Sequence, residues 1–177
     1  MRDINLPNAL TIFRILALPF CAYALFKNGG DDDSWRIIAF TLFFIVGLSD
    51  ILDGKIARSR NQITEFGKLL DPIADKAMLA TASIGASFLG MLSWWVTAIF
   101  LIREVAVTIL RFAVIKNGVI PASKGAKLKT FFQNFSVGFY ILPLPSYLNL
   151  PRDLFTAVAV YLTITTGVDY FRKVLRK

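Results

Sequence analysis

From Asp50 to Asp75 the chain reads DILDGKIARSRNQITEFGKLLDPIAD, a stretch that carries four aspartates. Asp50, Asp53, Asp71 and Asp75 sit inside two apolar blocks, Arg36–Ala57 and Phe66–Leu92. The spacings i, i+3 and i, i+4 put each pair on one face of its helix. An aspartate near the centre of a bilayer costs about 2.5–3.5 kcal/mol on insertion scales, so four in one hairpin need compensation. Counting inward from the connection Arg58–Glu65 at about 1.5 Å per residue places Asp53 and Asp71 roughly 9 Å deep. Asp50 and Asp75 fall roughly 13–15 Å deep by the same count. The two pairs therefore face each other at matched depths.

The rest of the chain shows why depth is the right measure. Four more apolar blocks flank this hairpin: Asn8–Phe26, Trp94–Ile115, Leu128–Pro145 and Leu154–Phe171. Each of the six approaches or exceeds the roughly 18–20 residues that cross a bilayer as a helix. They read as apolar all round, which suits a lipid solvent better than water on one side. Gly29-Gly30, Asn117-Gly118 with Pro121, and Pro143, Pro145 and Pro151 punctuate the blocks. No small-residue cleavage site follows the first block, so it reads as a span rather than a signal peptide. The expectation is an all-α integral membrane protein, residues 1–177 forming one bundle of six transmembrane helices. With the N-terminus cytoplasmic, twelve Lys and Arg fall on inner segments, among them Lys55, Arg58, Lys124, Lys127, Lys129, Arg172 and Lys173. Only Lys27, Arg36 and Arg152 fall outside, a strong positive-inside bias that places both termini in the cytoplasm.

Composition narrows the chemistry. The 177 residues include no His and one Cys, Cys21, inside the first block. Ser-His-Asp triads, Cys-His pairs, zinc fingers and internal disulfides are excluded. The net charge of +8 is explained by the inner loops, and no soluble basic domain exists to bind nucleic acid. Four carboxylates at one site need positive charge between them. Lys or Arg supplies part; one or two divalent cations supply it more compactly through oxygen ligands. Magnesium or manganese suits that donor set, and zinc does not. Gly54 and Ala57 follow Asp50 on its face and Gly67 precedes Asp71 by one turn, leaving room for a bulky ligand. Arg58 stands at the rim, placed to meet a phosphate.

Asp50-x2-Asp53-Gly54-x2-Ala57-Arg58-x8-Gly67-x3-Asp71-x3-Asp75 resembles the signature of the CDP-alcohol phosphatidyltransferase family, with every position filled. The flanks Leu6–Arg14, Arg103-Glu104 with Arg111, and Ser123–Gln133 resemble the bacterial phosphatidylglycerophosphate synthases within it. The resemblance implies the CDP-alcohol phosphotransferase fold with six transmembrane helices, a homodimer, and two Mg²⁺ or Mn²⁺ ions held by Asp50, Asp53, Asp71 and Asp75. It makes Asp75 the base that deprotonates the attacking hydroxyl and places Gly54, Ala57, Arg58 and Gly67 around the CDP moiety. The implied reaction joins CDP-diacylglycerol to glycerol 3-phosphate, releasing CMP, at the cytosolic face of the bacterial cytoplasmic membrane.

Other polar residues carry two readings each. Asn8, Thr11 and Arg14 share one face of the first helix and either complete the CDP site or serve as cap and snorkelling groups. Arg103 and Arg111 either receive the acceptor phosphate or pair with the motif carboxylates. Lys124, Lys127 and Lys129, at the mouth of the fifth span, either draw in that phosphate or only set topology. Glu104 cannot face the way Arg103 does and is expected to pair with another helix. Lys76 is expected to point away from Asp75. The rival functions are a sibling enzyme with inositol phosphate or phosphatidylglycerol as acceptor and, from another class, a small cation or proton transporter.

Overall fold

The six apolar blocks form six long α-helices in a computed structural model. It describes the backbone of residues 6–59, 65–114 and 124–175, and the side chains of residues 9–49, 70–111, 125 and 127–174. The helices are α1 (Leu6–Phe26), α2 (Asp33–Ser59), α3 (Glu65–Phe88), α4 (Trp94–Val114), α5 (Lys124–Ile141) and α6 (Asn149–Leu175). Side-chain contacts fix their directions. α1 and α3 run parallel, since Thr11 bonds Asp71 at one end and Gly85 meets Leu25 at the other. α5 runs against α2 and α6, as Arg36 reaches Ile141 and Tyr140 reaches Asp153. α4 runs against α3, with Ser87 beside Thr97 and Lys76 beside Thr108.

The turns 27–32, 89–93 and 142–148 gather at one end of the bundle, and local chemistry closes each helix there. Asn28, Gly29 and Gly30 take φ of 54°, 72° and 80°, the left-handed conformation that ends α1. A Cβ on Gly30 would lie 2.8 Å from Leu89 Cδ1, so this turn packs on the next one. Asp32 caps α2: its carboxylate accepts from the backbone N–H of Ser34 (2.9 Å) and Trp35 (3.2 Å) and from the Asn28 amide (3.0 Å). The Trp35 N–H first, then the Asn28 amide, hold the Asp32 carboxyl below the usual carboxylate range. Arg36 closes α5 from a distance. Its guanidinium donates to the carbonyls of Ile141 (2.9 Å), Leu142 (3.0 Å) and Tyr140 (3.2 Å), groups that a helix end leaves unpaired.

Polar side chains are buried within the apolar core, and large apolar side chains coat the outside. Thr11, Arg14, Ser83, Ser87, Thr97, Lys129, Gln133, Ser136, Thr156 and Thr163 are buried, beside small residues such as Ala24, Ala39, Ala86 and Ala159 that let helices approach closely. Ser136 donates to Thr156 between α5 and α6 at 2.8 Å, and Ser87 pairs with Thr97 between α3 and α4 at 2.8 Å. On α6, Leu150, Leu154, Val158, Tyr161, Ile164, Val168 and Phe171 are all exposed. At 1.5 Å per residue this stripe is about 32 Å long, matching a hydrocarbon core of about 30 Å. Phe13, Leu16, Phe20 and Tyr23 form a similar stripe on α1.

Six long helices agree with the six expected blocks, but their composition does not follow the expectation throughout. Among the described residues two segments, Ala9–Gly30 and Ser146–Val174, are long and apolar enough to cross a membrane on composition alone. The blocks are not apolar all round: α3 carries Asp71, Asp75 and Lys76, α4 Arg103, Glu104 and Arg111, and α5 Lys127 and Lys129. Cys21 is buried in the apolar core and only packs.

Candidate active site

Away from the turns, α3 presents its two motif aspartates to different neighbours. Asp71 faces α1. Its Oδ1 accepts from Thr11 Oγ1 at 2.6 Å and lies 3.5 Å from Arg14 Nη2, which also reaches Thr11 at 3.4 Å. Thr11 and Arg14 are buried while Asp71 is half exposed. Burial leaves no room for the snorkelling reading of Arg14 or a surface capping role for Thr11. Their hydroxyl and guanidinium instead hold one oxygen of Asp71, and its Oδ2 makes no bond among the described residues.

Asp75, one turn on, faces the cleft between α3, α4 and α5. It lines a small open recess with Lys76, Leu79, Glu104, Lys129, Thr130, Gln133 and Asn134. Lys76, expected to point away, lines the same recess and bonds Thr108 on α4. Its long flexible stem folds around the helix, so the 100° step from Asp75 does not separate the two head groups.

Glu104 is the hub of this region. Lys129 of α5 bonds its Oε1, as an interhelical partner was expected to. Arg103 Nη1 reaches the same oxygen at 3.1 Å, contrary to the expectation that the two neighbours diverge, because the guanidinium lies sideways along α4. Arg103 also reaches Thr166 of α6 at 3.4 Å, and its Nε has no partner among the described residues. Among the described residues Arg103 is thus committed to Glu104 and Thr166 of α6, not to Asp71 or Asp75. Lys129 is buried inside the bundle rather than standing at its mouth. Arg111 and Lys127 are exposed. The five cations expected to gather on one phosphate therefore divide: two converge on Glu104 inside, and two face outward. The side chain of the fifth, Lys124, lies outside the description, as do those of Asn8, Asp50, Asp53, Gly54, Ala57, Arg58 and Gly67.

Asp71 and Asp75 offer only oxygen atoms, and the half-exposed Asp71 keeps one of them unbonded among the described residues, which suits a hard divalent cation. Among the described residues no three candidate ligands converge, and Asp50 and Asp53 are not among those side chains. Gln133, Asn134, Thr130 and Thr108 were not singled out from sequence. Their signal was a polar stripe of Lys129, Gln133, Ser136 and Tyr140 at helical spacing through an otherwise apolar α5.

This geometry, motif carboxylates on one helix beside a polar cleft in an apolar-coated bundle, belongs to a known class. The CDP-alcohol phosphatidyltransferase family matches residues 4–168, and the chain belongs to that family. It has the all-α, membrane-associated fold of the family, whose phosphotransfer uses a divalent cation. Among its relatives, a probable phosphatidylglycerophosphate synthase of Mycobacterium tuberculosis is 46% identical over 99% of this chain and 84% of its own length. The CDP-diacylglycerol–glycerol-3-phosphate 3-phosphatidyltransferases of Bacillus subtilis and Rickettsia felis are 36% and 35% identical, each over 96% of this chain and 94% and 95% of their own lengths. The crystal structure of M. tuberculosis phosphatidylinositol phosphate synthase with CDP-DAG bound superposes with a TM-score of 0.68 over 95% of this chain and 85% of that one. At 18% identity that likeness concerns the fold.

Proposed function

We propose that this protein transfers the phosphatidyl group of CDP-diacylglycerol to glycerol 3-phosphate, forming phosphatidylglycerol phosphate and CMP. It does so as a six-span homodimer of the bacterial cytoplasmic membrane, with both termini and the site on the cytosolic side. The observation that carries the reading is the division of labour on α3. Asp71 is steadied by α1 beside the expected nucleotide site, and Asp75, one turn away, opens into a separate polar recess. A transferase between two substrates needs both. The identity of the full-length relatives supports the choice of glycerol 3-phosphate as the acceptor. The exposed apolar stripes and the inward bias of Lys and Arg support the six spans.

Asp50, Asp53, Asp71 and Asp75 would hold two Mg²⁺ or Mn²⁺ ions. Bound there, the ions supply charge neutralisation for a diphosphate whose CMP half is leaving. Thr11 and Arg14 fix the Asp71 carboxylate so that it needs no reorganisation when the donor arrives. Gly54, Ala57 and Gly67 leave space for the nucleotide, and Arg58 meets its phosphate. Asp75 takes the proton of the attacking hydroxyl from within the recess. Exposed Arg111 and Lys127, with Lys124, receive the acceptor phosphate at the rim, and Arg103 and Lys129 stay inside to balance Glu104.

Purified protein with CDP-diacylglycerol and one acceptor at a time tests the assignment. CMP release is expected with glycerol 3-phosphate and lost on chelation of divalent cations. Release with inositol phosphate or phosphatidylglycerol alone moves the protein to a sibling activity. Cation flux without CDP-lipid, surviving Gly67→Leu, would return it to the transporter class.

A further inference from the structure

Gln133 lines the recess, is 1% exposed, and neither its Nε2 nor its Oε1 has a hydrogen-bond partner among the described residues. A buried amide with both ends unpaired is costly in a packed bundle. Its surroundings say what it is kept for. Two carboxylates, Asp75 and Glu104, and two ammonium groups, Lys76 and Lys129, line the recess, so their formal charges cancel. A doubly charged phosphate gains little there, whereas an uncharged hydroxyl suits the balance of charge. A primary amide offers one donor and one acceptor side by side, and an alcohol hydroxyl needs both. We propose that Gln133 is a specificity residue that reads the secondary hydroxyl of the acceptor, the one beside the primary hydroxyl that attacks.

This inference rests on the acceptor reading above and adds to it. Asp75 shares the recess with Gln133, so the proton-accepting carboxylate and the amide meet adjacent carbons of one diol. The acceptor phosphate then extends toward Arg111, which lies one turn beyond the Thr108 contact of Lys76 and feels its charge. An acceptor that lacks the secondary hydroxyl leaves the amide unpaired. Sites built to bond a hydroxyl reject analogues on that ground.

The test compares glycerol 3-phosphate with 3-hydroxypropyl phosphate, which keeps the attacking hydroxyl and the phosphate but lacks the secondary one. Wild-type protein is expected to prefer glycerol 3-phosphate by at least about thirtyfold in kcat/KM. Gln133→Leu should bring that ratio below about threefold through a raised acceptor KM, with the KM for CDP-diacylglycerol within about twofold of wild type. Gln133→Asn, shorter by one methylene but still an amide, should retain part of the preference. A wild type that uses both alcohols equally overturns the inference while leaving transfer to glycerol 3-phosphate intact, and this outcome needs no variant. A Gln133→Leu protein that binds donor normally and keeps the wild-type ratio, or loses both acceptors equally, also overturns it. A wild type that releases CMP with neither alcohol overturns the acceptor assignment and this inference with it.

Discussion

Two arginines, Arg36 at the turn end and Arg103 midway along α4, are used in opposite ways. At the turn end, Arg36 gives its guanidinium to three backbone carbonyls, and nearby Asp32 is filled by two backbone N–H groups and an amide. Arg152 and Tyr140 both bond the Asp153 carboxylate. Polar groups at this end meet groups of the chain itself. Around the recess the balance reverses. Arg103 keeps its buried Nε unpaired, two cations share one oxygen of Glu104, and Gln133 bonds nothing described. Saturated polar groups mark architecture; unsaturated ones mark a place that expects a visitor.

The largest test of that contrast lies on the motif. Asp75→Asn should lower CMP release by at least about a thousandfold, since a proton acceptor is lost, while donor binding falls far less. Asp53→Asn should weaken metal and donor binding together. Equal loss of binding in both variants would deny Asp75 its separate duty. Next comes Glu104→Gln, which strands Arg103 and Lys129 as buried cations. Removing one member of such a group costs about 3–5 kcal/mol, so thermal unfolding in detergent should show a large drop in Tm. A Tm within a degree or two of wild type would mean that water already serves those cations.

Arg36→Met should be milder, about 2–3 kcal/mol for the lost carbonyl partners, and should leave kcat per folded molecule unchanged. A drop in kcat at full folding would erase the distinction between the two regions. The smallest effect belongs to Asp32→Asn. The folded carboxyl titrates below its unfolded value, so its contribution is present above the ordinary carboxylate pKa of about 3.9 and fades as pH falls through the folded value. Wild type should therefore exceed Asp32→Asn in Tm at pH 7, with the gap closing as the carboxylate protonates.

What could be read from the chain alone follows physical range. Long apolar blocks and their Gly and Pro breaks are local, so six helices were legible to within about a turn at most ends. Asp71 and Asp75 stand out in the chain because charge inside an apolar block is expensive; the side chains of Asp50 and Asp53 lie outside the described residues. Arg36 was not, because its partners are backbone carbonyls 104–106 residues away that no side-chain pattern announces. Lys76 was misread because face-counting treats a long side chain as a short spoke. Gln133 hid among phenylalanines, since Phe131, Phe132 and Phe135 dominate that stretch and only the interleaved polar stripe betrays the recess.

The Arg36 clasp has a mechanical corollary. It fastens the start of α2 to the finish of α5, so the helix bearing Asp50 and Asp53 and the helix bearing Lys129 and Gln133 are riveted at one tip. Gln133 lies eight residues from Ile141, about 12 Å along the axis, so a tilt of about ten degrees about the rivet spreads the pair by roughly 2 Å there.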